Sequence, residues 1–202
     1  DGYISKEDGD KARAEPLGVN QRALSPNTYV AGYFAEEVRR ELSDRYGDKK
    51  LYEGGLSVRT TLDPQMQVYA RKALVNGLVR FDEAQGYRGA MQHIETAGDW
   101  GAPLGAIPAL GDVKPWRLAV ILDATDSQAR IGLQPRKEKS GELARERETG
   151  VINRDGMTWT GKSPRTAFSV GDVVYVEPLE KSPGQFRLRQ VPDISGALMA
   201  MD

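Results

Sequence analysis

Apolar residues return every four positions at Val30, Phe34, Val38, Leu42 and Tyr46, with Tyr33 alongside. Glu36, Glu37, Arg39, Arg40, Asp44 and Arg45 occupy the other sides. That spacing predicts an amphipathic helix, opened by Ser25-Pro26-Asn27-Thr28 and closed by Gly47, where a left-handed residue is cheap for glycine. The period then changes to two. Leu56, Val58, Thr60 and Leu62 share one face of a predicted strand, stiffened by the β-branched Thr60 and Thr61. Asp63-Pro64 follows as N-cap and first residue of a further helix. Its predicted buried stripe is Met66, Ala70, Ala73, Leu74, Gly77, Leu78 and Phe81. Ahead of both, Ser5-Lys6-Glu7-Asp8 makes a capping box for a short helix to about Ala14, which Glu15-Pro16 ends.

From Asp82 to Pro115 the periodicity lapses among six glycines and three prolines (Gly86, Gly89, Gly98, Gly101, Gly105, Gly111; Pro103, Pro108, Pro115), a long connection with a short helix expected around Gln92–Glu95. Short strands then follow one another. Trp116–Leu122 is almost wholly apolar, and Ala129–Leu133 pairs back on it across an Asp123–Ser127 turn. Val151–Thr160 reads as a second hairpin turning at Arg154-Asp155-Gly156. Val170–Val176 and Gln185–Val191 flank a Ser182-Pro183-Gly184 turn. Ile194–Met201 reads as a last strand, apolar on both faces. From Trp116 to Val191 that makes about five short strands without a long helix, the pattern of a small Greek-key barrel of the OB type. The fold class expected is therefore α+β, mainly β, with a helical linker and a strand–helix unit beside the barrel.

Composition then narrows the chemistry. The chain has 202 residues, 28 Lys+Arg against 29 Asp+Glu, no cysteine and a single histidine, His93. A net charge of −1 gives no basic surface of the kind that grips phosphate backbones. Without cysteine there is no disulfide, thiolate metal site or cysteine nucleophile, and one histidine leaves no His-based triad or multi-His metal site. Metal ligation would have to be all-carboxylate, and no Asp-x-Asp-x-Asp-Gly loop is present. Gly-x-Ser-x-Gly, Gly-Lys-Ser/Thr and Gly-x-Gly-x-x-Gly are also absent. Glu36/Glu37 and Glu146/Glu148 sit among arginines and read as solvated ion-pair partners, and His93 as a structural side chain. Arg136–Glu148, with nine charges around Gly141, reads as a solvated loop whose order the sequence leaves open. No apolar run reaches the ~18 residues of a membrane span. The start at Asp1 without methionine or signal features reads as a piece excised from a longer protein.

Several stretches, taken in order, resemble one family. They are Gly2-Tyr-Ile-Ser5, Tyr33-Phe-Ala-Glu-Glu-Val-Arg-Arg-Glu-Leu42, Gly54-Gly-Leu-Ser-Val-Arg-Thr-Thr-Leu-Asp-Pro64, Gly86-Tyr-Arg-Gly89 and Ile194-Ser-Gly-Ala-Leu-Met-Ala-Met-Asp202. They resemble the middle of class A penicillin-binding proteins of the 1A type, the bifunctional peptidoglycan synthases of Gram-negative bacteria. The resemblance implies that residues 1–24 are the tail of a glycosyltransferase side. Residues 25–85 would be a linker plus the first strand–helix unit of the transpeptidase region. Residues 86–191 would be an OB-like domain, and 192–202 the first sheet strand of the transpeptidase.

The catalytic parts of that family are missing. No serine is followed three residues later by lysine, the pair in which the lysine helps activate the serine. Ser25-Pro-Asn27 and Lys139-Ser-Gly141 mimic the later transpeptidase motifs without a first one ahead of them, and the glycosyltransferase pattern is absent. No catalytic, cofactor or metal residue is therefore assigned. The reading is a non-catalytic linker and OB-like spacing or regulatory segment, at the periplasmic face of the inner membrane, anchored only through a parent helix outside this chain. Its partners would be the neighbouring glycosyltransferase and transpeptidase domains and, in some bacteria, an outer-membrane lipoprotein activator. The rival readings are an OB-fold binder of single-stranded nucleic acid, using Trp116, Trp159, Phe168, Tyr175 and Phe186 as stacking groups, and an unrecognised enzyme. Trp100 and Trp159 also hint at a protein-contact surface.

Overall fold

The computed structural model describes residues 4–14, 31–138 and 141–201. The expected helix start at Ser25–Val30 and the motif mimics at Ser25–Asn27 and Lys139-Ser140 lie outside the described residues. The chain is mixed α and β, mainly sheet, with a closed five-stranded OB-like barrel preceded by helices. It divides into two compact units, Asp1–Arg71 and Lys72–Asp202.

In the first unit, helix α1 (Lys6–Ala14) starts as expected. Ser5 Oγ accepts the Asp8 N–H at 3.1 Å and donates to the Asp8 carboxylate at 2.6 Å. Helix α2 (Gly32–Tyr46) and the short α3 (Asp48–Glu53) are joined at Gly47, whose φ of 77° is open to glycine. Arg39 grips Glu36 with two bonds of 2.8 Å and donates to the Tyr52 hydroxyl at 3.2 Å, tying α2 to α3. Neither helix has a buried residue. The expected strand at Leu56–Leu62 carries no ladder, and Leu56 and Val58 are exposed. Alternation makes one face apolar, but a strand also needs a neighbour for its backbone, and none pairs with it among the described residues.

Helix α4 (Pro64–Ala84) runs across the division between the units. Asp63 caps it, its Oδ1 accepting the N–H groups of Gln65 and Met66 at 2.7 and 3.0 Å. The expected stripe is only half right. Leu74 and Leu78 are half-buried and Met66 and Phe81 exposed, while the buried positions are Val79 and Asp82. Cover is complete only at the C-terminal end, where a polar residue takes the innermost place.

In the second unit β2 (Arg117–Ala124), β3 (Gln128–Leu133), β4 (Thr149–Asn153), β5 (Asp172–Pro178) and β6 (Gln185–Arg189) form the barrel. β2 pairs with β3, β3 with β4, and β5 with both β2 and β6, all antiparallel; β4 and β6 close the ring in parallel. A register shift between Ile121 and Asp123 bends β2, as closing a small barrel requires. Ala119, Ile121, Ile131, Leu133, Ile152, Val174, Val176 and Leu188 point inwards with Met157, Phe168 and Phe186. The alternate residues Leu118, Val120, Val173 and Tyr175 face outwards, yet they are buried too. Helix α5 (Gly101–Ala106), with Leu104 fully buried, covers them. Cover on both faces is why β2 and β5 read as continuous apolar runs.

Two expectations fail here. Gln92–His93 is not helical but forms a two-residue strand β1, antiparallel to β5. The helix of this region is α5 instead, inside the Gly/Pro-rich stretch; its one long apolar anchor gives no periodicity to read. In Val151–Thr160 only the first arm is a strand. Arg154–Thr160 is a 3-10 turn that drops Met157 into the core. A four-residue helix α6 (Pro164–Ala167) then leads to Phe168.

Candidate functional site

The N-terminal side of the barrel is reached from α4, and the chain leaves it after β6, so the two connections must be reconciled somewhere. They meet on Asp82, buried at 2% exposure in the last turn of α4. Its Oδ1 accepts Arg88 Nη1 at 2.6 Å and the Asp193 N–H at 3.0 Å; its Oδ2 accepts Gln190 Nε2 at 2.8 Å. Gln190 in turn accepts the Arg88 N–H at 2.8 Å, and Arg88 Nη2 donates to Val191 O at 2.8 Å. Residues more than a hundred positions apart are thus held in one closed polar clasp. Burial pushes the Asp82 carboxyl up, but the donors from Arg88, Gln190 and Asp193 outweigh it, and the carboxyl lies below its ordinary range. A charge so placed is tolerated because every oxygen is answered.

Gly86-Tyr87-Arg88-Gly89 makes the turn into the clasp. Gly86 and Gly89 have φ of 97° and 106°, which a side chain would strain. Between them Tyr87 is driven into the barrel end, edge-on to Trp159 at 5.8 Å and to Phe168 at 6.0 Å. Burial, with the nearby Asp172 charge, raises its phenol above the ordinary range. A second ion-pair set lies beside the first. Arg189 bridges Glu83 and Glu177, each at 2.6 Å, and lies over the Trp116 ring at 5.6 Å from its centre. An apolar pocket of about 380 Å³ runs from Tyr87 and Met91 to Leu110, Tyr175 and Val191. The cations on its rim, Arg88 and Arg189, are both committed to carboxylates.

The charged segment 136–148, expected to be a solvated loop, is largely exposed in its described residues and is anchored through the side chains of Arg147 and Glu148 at its end. Arg147 forks onto Asp99 at 2.6 and 2.7 Å, and Arg117 onto Glu148 at 2.8 and 3.0 Å. Those guanidinium bonds hold the Asp99 and Glu148 carboxyls below their ordinary range. A bridge between Lys137 and Leu143 closes the loop on itself. Leu143 seats against Gly105, at a distance that leaves no room for a Cβ there. Segments 105–109 and 134–137, with Arg117, line a groove of about 660 Å³.

The side chains weighed from sequence are dispersed. Glu36 and Glu37 pair with Arg39 and Arg40 on α2; the Arg39 bond draws the Glu36 carboxyl down. Glu148 pairs with Arg117. His93 is half-exposed, its Nδ1 3.2 Å from Asp172. Among the described residues no three His, Cys, Asp or Glu side chains come together as a metal site. The aromatics offered as base-stacking groups serve the core: Phe168, Tyr175 and Phe186 are buried, and Trp116 and Trp159 pack against the barrel. Trp100 lies over Gly132, where a Cβ would meet its ring at 2.6 Å. The residues that sequence reasoning missed are Asp82, Arg88 and Gln190. Their one local signal was an acidic residue one turn beyond Leu78, on the apolar side of α4.

The family profile described as "Penicillin-binding protein OB-like domain" matches residues 87–194. Among curated proteins, the chain is 36% identical to "Penicillin-binding protein 1A" of Rickettsia typhi over all of this chain and 24% of that one. It is 30% identical to the protein of that name from Haemophilus influenzae, over 99% of this chain and 22% of that one. It is 26% identical to the one from Escherichia coli K12, over 100% and 24%. A 2.6 Å crystal structure of Penicillin-Binding Protein 1A from Haemophilus influenzae superposes with a TM-score of 0.66 at 30% identity, covering 94% of this chain and 26% of that one. The chain spans about a quarter of the length of the curated relatives it matches.

Proposed function

The chain belongs to the penicillin-binding protein OB-like domain family, and from that premise we propose that it is a non-catalytic spacing and regulatory segment of a bifunctional peptidoglycan synthase. The observation that carries this reading is the clasp. Asp82 receives Arg88 from the inbound connection and the Asp193 N–H from the outbound one. A domain whose two ends are bonded to one carboxylate can be inserted into a loop of another domain with little displacement of that domain's ends.

On this reading residues 86–191 are the insert and 25–85 the linker and strand–helix unit before it. Residues 192–202 return to the transpeptidase sheet, and 1–24 belong to the glycosyltransferase side. The two catalytic domains lie in the parent chain at the periplasmic face of the inner membrane. Among the described residues no helix is long and apolar enough to cross a membrane. An outer-membrane lipoprotein activator is a partner that an exposed insert of this kind can receive.

The chemistry agrees with a supporting role. Asp82, Glu83, Asp99, Glu148 and Glu177 are engaged by arginines that hold loops and ends, and no serine stands three residues ahead of a lysine. The isolated chain is expected to take up no fluorescent penicillin covalently. In the whole protein, replacing residues 87–191 by a short flexible linker should leave penicillin acylation intact and change the balance of glycan polymerisation and cross-linking. Covalent labelling of the isolated chain, or an unaltered product balance after the replacement, would overturn the reading.

A further inference from the structure

The groove between segments 105–109 and 134–137 is built rather than incidental. Gln134 holds one wall to the other: its Nε2 donates to Leu104 O at 2.9 Å and Ile107 O at 2.7 Å, while its own N–H bonds Leu118 O at 2.8 Å. The floor beyond it is fixed by the Lys137–Leu143 bridge and by the Ala144 N–H on Arg136 O at 2.9 Å. Such a surface loses little freedom when a ligand settles on it.

Its two sides differ chemically. Ile107, Pro108 and Ala109 offer small apolar surface. Arg117, Arg136 and Lys137 offer cations, and no acidic side chain lines the groove. Arg117 is engaged by Glu148, whose field Arg136 also feels. Arg136 and Lys137 are exposed and make no salt bridge within 4 Å of a described carboxylate. The rim therefore keeps positive charge to spare, next to a wall that fits methyl groups.

We propose that this groove binds a carboxylate-bearing, alanine-rich peptide of the kind that peptidoglycan carries, an inference that rests on the cell-wall reading above. Carboxylates would lie on Arg136 and Lys137, and alanine methyls on Pro108 and Ala109. Guanidinium geometry suits a carboxylate fork, and the small side chains of Pro108 and Ala109 offer methyl groups an apolar surface. The contact would keep the insert close to the product strand, separate from any catalytic centre.

The test is a titration of the isotope-labelled 202-residue chain with the peptide Ala-γ-Glu-diaminopimelate-Ala, followed by amide shifts at low salt. Shifts are expected at the amides of Ile107, Ala109, Gln134, Arg136 and Lys137. Affinity should fall about tenfold or more in R136E/K137E, whose melting should match wild type because both side chains are exposed. The fully amidated peptide should bind as weakly as the variant does to the acid. No binding at millimolar peptide, equal binding of the amidated form, or shifts unaffected by R136E/K137E would each overturn the proposal. So would stronger binding of anionic phospholipid vesicles or single-stranded DNA at the same residues, which would make the groove a phosphate site. Any of these results, alongside the expected penicillin and linker-replacement outcomes, would reject the groove and leave the family role standing.

Discussion

Replacing Asp82 by asparagine keeps the shape of the side chain and turns one of its two acceptors into a donor. Oδ1 serves Arg88 and the Asp193 N–H, and Oδ2 serves Gln190. Whichever way the new amide lies, its NH2 faces an N–H. The cheaper arrangement keeps oxygen towards Arg88 and Asp193 and loses the Gln190 bond. Gln190 cannot simply turn over, because its Oε1 holds the Arg88 N–H and its Nε2 also reaches Gly86 O. A hydrogen bond to a charged group contributes about 1.5–3 kcal/mol, and an unpaired buried donor costs about 1–3 kcal/mol. With partial relaxation Asp82→Asn should therefore destabilise the second unit by about 2–4 kcal/mol, a fall in Tm of roughly 8–16 °C. Calorimetry as a function of pH gives the sharper reading. Asp82 has a folded-state carboxyl below its ordinary range, so its charge stabilises the fold at pH values above the unfolded value of about 3.9. That contribution fades as pH falls through the folded value. Wild type and Asp82→Asn should differ most near neutrality and converge in acid. A Tm within about 2 °C of wild type at pH 7, or an unchanged gap on acidification, would refute the clasp as a stabilising unit.

Val174→Asp should abolish cooperative melting of the barrel. Val174 is 3% exposed opposite Ala119, and an unpaired carboxylate there has no donor; a retained near-UV signal would contradict this. Arg147→Ala should speed amide exchange at Leu143 and Ala144 while leaving Tm nearly unchanged, since the bonds to Asp99 and Ala144 O fix a surface loop rather than the core. Gly132→Val should displace Trp100 from the sheet, its Cβ lying 2.6 Å from the indole, and red-shift the tryptophan emission.

What could be read from the chain follows the physics of each element. The capping box at Ser5, the cap at Asp63 and the apolar runs of β2 and β5 are local signals, and all of them appear in the structure. α5 was hidden because its stability comes from Leu104 seated on β2 and β5, a contact the local sequence does not contain. β1 was hidden for the same reason, its two residues being ordered by β5. The charged loop is solvated as its balanced charges suggest, but its anchoring was not legible, because the partners of Arg147 and Glu148, Asp99 and Arg117, are distant in sequence. The clasp was the least legible of all. Gly-Tyr-Arg-Gly stood out only by resemblance, and nothing near Asp82 announces Gln190 or Asp193.

Two expected sheet strands, Leu56–Leu62 and Ile194–Met201, form no ladder, and the second yields the last prediction. It is apolar except for Ser195, and Leu198, Met199 and Met201 are 48%, 83% and 86% exposed. Within the second unit it comes close to α4 at Gly196, where a Cβ would stand 3.1 Å from Leu78 and 3.4 Å from Leu74. The segment thus leans on the half-buried side of α4 through a glycine, while its larger side chains face outwards. Exposed apolar surface beside an unpaired backbone invites pairing between copies. Cutting the chain after Asp193 keeps the N–H that Asp82 accepts and removes only this segment. The barrel should then melt as before, while self-association at high concentration falls. Gly196→Val should act in the same unit by pressing on Leu78 and lifting the segment, raising association without moving the barrel's melt. Light scattering on the three chains decides between the alternatives: equal particle sizes, all monomeric, would show that the segment is no interface, and a lower Tm after truncation would place it in the fold itself.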